Sequence, residues 1–242
     1  EDIKFLKKYP INPIGNPWSV KINGYRFNKR WSNNIRYLSL LSQYLNEILS
    51  SGNGRFIDIG GGYGILLSLI KHEFEKVKLA IIEFPEQLLL NYYFLANTFP
   101  QAKINTIQEV MEISTIDREY IEKYDFILIP VGCLKNIEKG CFNIVSNFYS
   151  LGEMSEEWFH AYMNSDVVQG ADYFFTTNRF ESRPSYNTNL NILSYKLHEY
   201  NQLYFQIGPY EKYYYGSKYK FFTRKVDFTS QIFEFIGKRI GL

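Results

Sequence analysis

The chain predicts an α/β fold: a mostly parallel sheet of seven strands, helices on both faces, and an antiparallel pair at the carboxyl-terminal edge. Three observations predict it. Residues 55–70, RFIDIGGGYGILLSLI, run from an apolar strand through a glycine turn into a helix. Strand-like and helix-like segments then alternate, as crossover helices in a parallel sheet require. Two long aromatic strands separated by a turn come last, which suits antiparallel addition at an edge.

Residues 1–34 carry Pro10, Pro13 and Pro17 with Gly15 and Gly24, and read as an irregular lead-in. Ile35, Leu38, Leu41, Leu45 and Ile48 recur at helical spacing and predict a helix from about Asn33 to Leu49. Residues 1–50 are thus expected to be a lead-in and helix covering a site on the body, 51–242. Phe56–Ile59 is the first strand, the next helix begins near Ile65, and Leu79–Phe84 is the second strand, ended by Pro85. Residues 86–98 read as helix, and 100–123 as a short strand near Ile104 and a polar helix. Tyr124–Pro130 and Phe142–Phe148 are further strands. A helix starts at Ser155, a good N-cap followed by Glu156 and Glu157 at the positive end of the dipole, with Met154 and Phe159 as a hydrophobic staple. Asp172–Asn178 is a strand, 188–200 a helix, and 202–208 and 217–226 the terminal pair.

Composition narrows the function. At 242 residues, 45% hydrophobic, the chain can bury the core of one large domain. A net charge of +2 provides no long-range field for nucleic acid or an acidic membrane. No apolar run is long enough for a membrane span. Two cysteines, Cys133 and Cys141, argue against a disulfide scaffold and for a reducing, cytoplasmic compartment. Neither C-x-x-C nor H-E-x-x-H occurs, so no metal site is expected. Starting at Glu1 rather than Met, the chain reads as trimmed or as part of a longer polypeptide.

The glycine turn lies at the carboxyl edge of the sheet, where open α/β folds bind ligands. Glycines there let backbone approach a ligand closely. Counting from Gly60, glycines recur at Gly62 and Gly64, and Ile65 stands where the last glycine of a dinucleotide G-x-G-x-x-G would fall. Asp58 precedes them, giving D-x-G-x-G-x-G. Glu83, at the end of the second strand, suits the vicinal hydroxyls of a ribose, or is a solvated loop acid. The glycine pattern resembles motif I of class I S-adenosylmethionine-dependent methyltransferases. That resemblance implies a Rossmann-like fold with S-adenosyl-L-methionine as cofactor. Its contacts would be Asp58, Gly60, Gly62, Gly64, Glu83 and Phe84, with adenine against Val131 after the third strand. The acid often found in that loop is missing, and Cys133 reads as wall rather than nucleophile.

A second segment concerns the acceptor. NFYSLGEM, Asn147–Met154, follows a strand and precedes the helix at Ser155, so Asn147, Ser150 and Glu153 fall on the same carboxyl edge. N-x-x-S-x-x-E-M, the E-F-P-E of Glu83–Glu86, and the later Asn178–Arg179 resemble the sugar O-methyltransferase family, as do Gly15-Asn16-Pro17 and Arg36-Tyr37. The resemblance spans about residues 15–226. It implies methyl transfer to a hydroxyl of a sugar in a glycan or nucleotide-linked precursor. Glu153 is then the first choice for the base, or else a surface acid favouring a helix dipole. His160, seven residues on, is the second choice, or else a helix histidine paired with Glu156. Asn147 suits the cofactor's amino-acid moiety, and Ser150, Asn178 and Arg179 the acceptor. Arg179 binds an anionic sugar or pairs with Glu181. The tyrosines of YEKYYYGSKY, 210–219, stack on sugars or pack in an edge hairpin. Rival readings are a nicotinamide oxidoreductase, which needs the spacing this chain lacks, a methyltransferase-like module without turnover, and methylation of a small phenol or a protein.

Overall fold

The computed structural model describes residues 2–22, 24–183, 186–207 and 231–241. The strands are β1 (Val20–Ile22), β2 (Tyr25–Phe27), β3 (Arg55–Ile59), β4 (Lys78–Glu83), β5 (Phe126–Pro130), β6 (Ile144–Phe148), β7 (Tyr173–Arg179), β8 (Tyr200–Ile207) and β9 (Ile232–Arg239). The α-helices are α1 (Asp2–Lys8), α2 (Lys29–Tyr44), α3 (Asn46–Ser50), α4 (Ile65–Glu73), α5 (Pro85–Thr98), α6 (Ile107–Glu112), α7 (Arg118–Glu122), α8 (Glu156–Met163) and α9 (Asp166–Gln169). β1 and β2 form a separate antiparallel ribbon, and the other strands form one seven-stranded sheet in the order β5-β4-β3-β6-β7-β9-β8. Pairing is parallel from β5 across to β7, and β9 is antiparallel to both β7 and β8. The chain winds outward from β3 to β5, then returns to lay β6 on the other side of β3. The crevice between β3 and β6 is therefore the switch point where such sheets bind ligands.

Side chains of the buried strands alternate between two cores. Ile57, Ile59, Ile127 and Ile129 face one layer with Val110, Tyr120, Phe159 and Val167 from α6 to α9. Phe56, Leu79, Ile81 and Leu128 face the other with Phe5, Leu38, Leu66 and Leu95 from α1, α2, α4 and α5. Burial on both faces is why these strands read as continuous apolar runs.

Four expectations need correction. The lead-in at 1–34 is not irregular: it holds α1, the β1–β2 ribbon and the start of α2, and the helix expected from about Asn33 to Leu49 begins at Lys29 and is broken between Tyr44 and Asn46. The helix predicted at 188–200 is instead two 3₁₀ turns, Ile192–Tyr195 and Leu197–Glu199, followed by β8. Lys196 takes a left-handed conformation (φ 52°) between them, which breaks a helical path. The strand near Ile104 reduces to one bridge to Phe126. There the Asn105 side chain replaces the ladder, accepting from Leu128 N (2.7 Å) and donating to Leu128 O (3.1 Å). The antiparallel neighbour of β8 is β9, beyond the predicted 217–226; that segment and the tyrosine run at 210–219 lie outside the described residues.

One ion pair ties the lead-in to the antiparallel edge. Arg36 on α2 donates from Nε to Glu234 Oε1 (2.9 Å) and from Nη2 to Oε2 (2.6 Å) on β9. Glu234 is fully buried, and Tyr204 on β8 accepts from Arg36 Nη2 (2.9 Å). Removing the cation leaves a carboxylate without its charge partner in the core. We expect Arg36→Met to destabilise the protein by about 3–5 kcal/mol, and Arg36→Met with Glu234→Leu to recover most of that, in urea unfolding.

Candidate functional site

The site is built around the turn after β3. Gly60 (φ 71°) and Gly62 (φ 62°) take left-handed conformations, but their surroundings differ. A Cβ on Gly60 would collide with the Ser150 side chain, whereas one on Gly62 would point into open space. Gly64 (φ 78°) starts α4. The turn is clasped from β4 and α5. Glu83 Oε1 accepts from Gly62 N (3.1 Å) and Oε2 from Phe84 N (3.2 Å). The carbonyl of Gly62 accepts from Gln87 Nε2 (2.9 Å) and from Asn91 Nδ2.

Asp58 lies under the turn with 1% exposure and accepts from Ser146 Oγ (2.7 Å) on β6. Burial pushes its carboxyl up to about 8, helped by the charge of Glu83 and opposed by the Ser146 hydroxyl. Burial also raises Glu83, against the two backbone N–H groups that hold its ionised form.

Asn147 is fully buried, and all four of its amide bonds are made within the protein. Nδ2 donates to Ile59 O (2.7 Å) and to Ser150 Oγ; Oδ1 accepts from Leu151 N (3.1 Å) and Asn178 Nδ2 (2.8 Å). Ser150 Oγ donates to Ile59 O (3.0 Å), and Asn178 Oδ1 accepts from Gly152 N (3.3 Å). Residues 147, 150 and 178 thus meet at the crevice, but as a clamp joining the carboxyl ends of β3, β6 and β7. Tyr149, between them, is left-handed (φ 61°), an uncommon conformation for a bulky residue. Arg179 lies over its ring at 6.0 Å and pairs with Glu153 at 3.4 Å. Tyr186 also bonds the Glu153 carboxylate. Glu153 and His160 are both exposed; His160 lies on α8, edge-on to Phe159, while Glu156 accepts from Asn189 N (2.8 Å). Phe84 is 64% exposed, and Val131 opens the 3₁₀ turn that follows β5.

A cavity of about 620 Å³ opens against the turn. Asp58, Gly60 and Gly62 form one wall; Trp18, Arg30, Asn33 and Tyr37 form another, and Tyr149 a third. Among the described residues no cluster of three or more His, Cys, Asp or Glu could hold a metal ion, and no helix is long and apolar enough to cross a membrane. Sequence reasoning missed Asn91 and Ser146, and within the lead-in expected to cover the site it did not single out Trp18, Arg30 and Asn33 as lining residues. Asn91 had a signal: it interrupts the apolar stripe of Leu88 and Leu95, where a buried polar group needs a partner.

No known family profile matches the chain, and no curated protein matches it. Solved structures do. A candidate sarcosine dimethylglycine methyltransferase from Galdieria sulphuraria superimposes with a TM-score of 0.56 at 9% identity, covering 98% of this chain and 97% of that one. The geranyl diphosphate C-methyltransferase from Streptomyces coelicolor A3(2), solved with Mg²⁺, geranyl diphosphate and S-adenosyl-L-homocysteine, gives 0.52 at 12% identity over 85% and 81%. A geranyl diphosphate methyltransferase holding geranyl diphosphate and sinefungin gives 0.52 at 13% over 87% and 83%. The chain therefore has the Rossmann-like fold of class I S-adenosylmethionine-dependent methyltransferases, with the antiparallel edge its sequence predicts.

Two outcomes check the turn. Gly62→Ala should cost about 1–2 kcal/mol of left-handed strain, and Gly60→Ala clearly more because of Ser150, in denaturant unfolding. The ligand-free protein should lose stability as pH rises from about 4 to 8, because folded Asp58 keeps a proton that the unfolded chain, at 3.8, releases. Asp58→Asn should flatten that slope in thermal melts.

Proposed function

We propose that the chain transfers a methyl group from S-adenosylmethionine to a hydroxyl of a sugar, in a glycan or a nucleotide-linked precursor. One observation carries the donor half: the cavity against the glycine turn, with Asp58 in its wall, sits at the switch point of a fold whose solved neighbours hold S-adenosyl-L-homocysteine or sinefungin. In this reading Gly60, Gly62 and Gly64 admit the methionine moiety, and Asp58 faces its ammonium. Glu83 takes the ribose hydroxyls in exchange for its backbone bonds. Phe84, an uncovered aromatic beside it, and Val131, which follows the Pro130 paired with Glu83, flank the adenine. Asn147 acts by holding the turn.

The sugar reading draws on the rest of the cavity. Trp18, Tyr63 and Tyr149 offer aromatic faces, and Asn33 and Asn34 offer amides whose donors and acceptors match ring hydroxyls. Residues 1–50 would then cover the site on 51–242. Ser150 and Asn178 support the loop that carries Tyr149, and Arg179, over the Tyr149 ring, pairs with Glu153. The acceptor oxygen attacks the sulfonium methyl in line; the O–C bond forms as the C–S bond breaks, and S-adenosylhomocysteine departs. Alignment supplies most of the rate. Glu153 receives the hydroxyl proton, with His160 as the alternative. Both cysteines are buried free thiols, which fits work in a reducing cytoplasm.

Calorimetry with S-adenosylhomocysteine tests the donor half. Asp58→Ala and Glu83→Ala should each weaken binding by about 1.5–3 kcal/mol; unchanged affinity in both removes the assignment. Binding at pH 7 should release a proton, because the ligand ammonium draws the Asp58 carboxyl below about 8. Repeating the titration in buffers of different ionisation enthalpy measures it. Glu153→Gln should keep cofactor affinity and lose about 10²–10⁴-fold in kcat. Full turnover in that variant moves the base role to His160.

A further inference from the structure

We infer that the acceptor carries an anionic group, phosphate, diphosphate or carboxylate, bound at Arg30, with its neutral part in a second cavity beside the first. The inference rests on the glycine turn being the methyl-donor site.

The second cavity measures about 520 Å³ and shares Trp18, Arg30 and Tyr63 with the first. Its far wall is apolar, with Ile11, Ile14, Leu90, Tyr93 and Phe94. Among the described residues it is lined by no acid, and the one acid lining the first is the buried Asp58. From Ile3 to Asn46 the chain has lysines and arginines but no aspartate or glutamate. The overall charge of +2 conceals this asymmetry, because the acids are concentrated later.

Two local features make the asymmetry specific. Arg30 lies over the Tyr63 ring at 5.0 Å, on the wall common to both cavities. A guanidinium stacked in this way keeps its N–H edge available for a bidentate anion. In the β1–β2 ribbon, between Trp18 and Asn28, Lys21 stands directly opposite Arg26. Like charges facing across a strand pair oppose folding; the pair lines neither cavity, but the ribbon that carries it joins Trp18 to Asn28, which line both, so an anion bound beside them lowers that repulsion through the field. The methyl donor is a poor fit to this field, since its sulfonium and ammonium are cationic. Its carboxylate is the competing anion, and Lys29, which lines only the first cavity, is placed for that role.

The test titrates inorganic pyrophosphate into protein saturated with S-adenosylhomocysteine, at constant ionic strength. Saturable one-to-one binding is expected. Arg30→Gln should weaken it at least tenfold, and Lys21→Gln with Arg26→Gln at least threefold. S-adenosylhomocysteine affinity should stay within twofold of wild type in each. Absent binding, or binding equal in all variants, overturns the proposal. So does displacement of S-adenosylhomocysteine by pyrophosphate together with loss of its affinity in Arg30→Gln, which gives Arg30 to the donor carboxylate. Sedimentation with phosphatidylglycerol vesicles that needs Lys21 and Arg26 but not Arg30 assigns the charge to a lipid surface and also overturns it. If wild-type protein binds no S-adenosylhomocysteine, the donor reading fails, and pyrophosphate titration of the free protein still judges the anion site.

Discussion

Asn147 is the constraint on which the crevice depends. It accepts and donates at the ends of three strands, and each of its amide atoms has two partners. A buried amide of this kind tolerates no substitute, because losing one bond strands the group on the other side, at about 1–3 kcal/mol each. The glycine turn, the loop carrying Tyr149 and the strand end at Asn178 therefore keep one relative geometry. Its neighbour Ser146 points to the opposite face of β6 and holds Asp58. Two consecutive residues thus support the turn from both sides of the sheet, as the pleat of a strand allows.

Charge is distributed with equal consequence. The acids of the crevice, Asp58 and Glu83, are withdrawn from water and drawn toward their neutral forms. Two cations of the lead-in, Lys29 and Arg30, line the cavity opposite them. Arg36 anchors α2 to β9, so the segment bearing Trp18 and Arg30 is fixed to the sheet far from it in sequence. The arrangement puts acids held toward their neutral forms at the base of the site and the cations Lys29 and Arg30 in its lead-in wall, with the aromatic faces of Trp18, Tyr63 and Tyr149 around them.

Much of the fold was legible because it rests on local rules. β3, β4, β5, β6 and β7 are apolar runs bounded by turn residues, and α5 and α8 begin at Pro85 and after Ser155 as their start signals require. The misreadings fall where a side chain overrode the pattern: Asn105 standing in for a strand, Lys196 taking a left-handed turn. The site was half legible. Asp58, the glycines and Glu83 form one contiguous grammar within a βαβ unit. Asn147, Ser150 and Asn178 were recognised as polar groups at the right edge, but their orientation was not. A sequence shows that an amide is present, and only the packing shows that its four bonds are already made.

The sequence by itself determined that a glycine turn with flanking acids closes a parallel β-strand, since that requires only neighbouring residues and the allowed backbone angles of glycine. The sequence expected the lead-in to cover the site, but the tertiary structure alone decided which side chains face the turn. The lead-in wall, the Arg36–Glu234 anchor and the second cavity come from residues far apart in the chain. Those contacts form because apolar burial folds the chain ends onto one sheet, and no local pattern records which distant side chains that burial brings together.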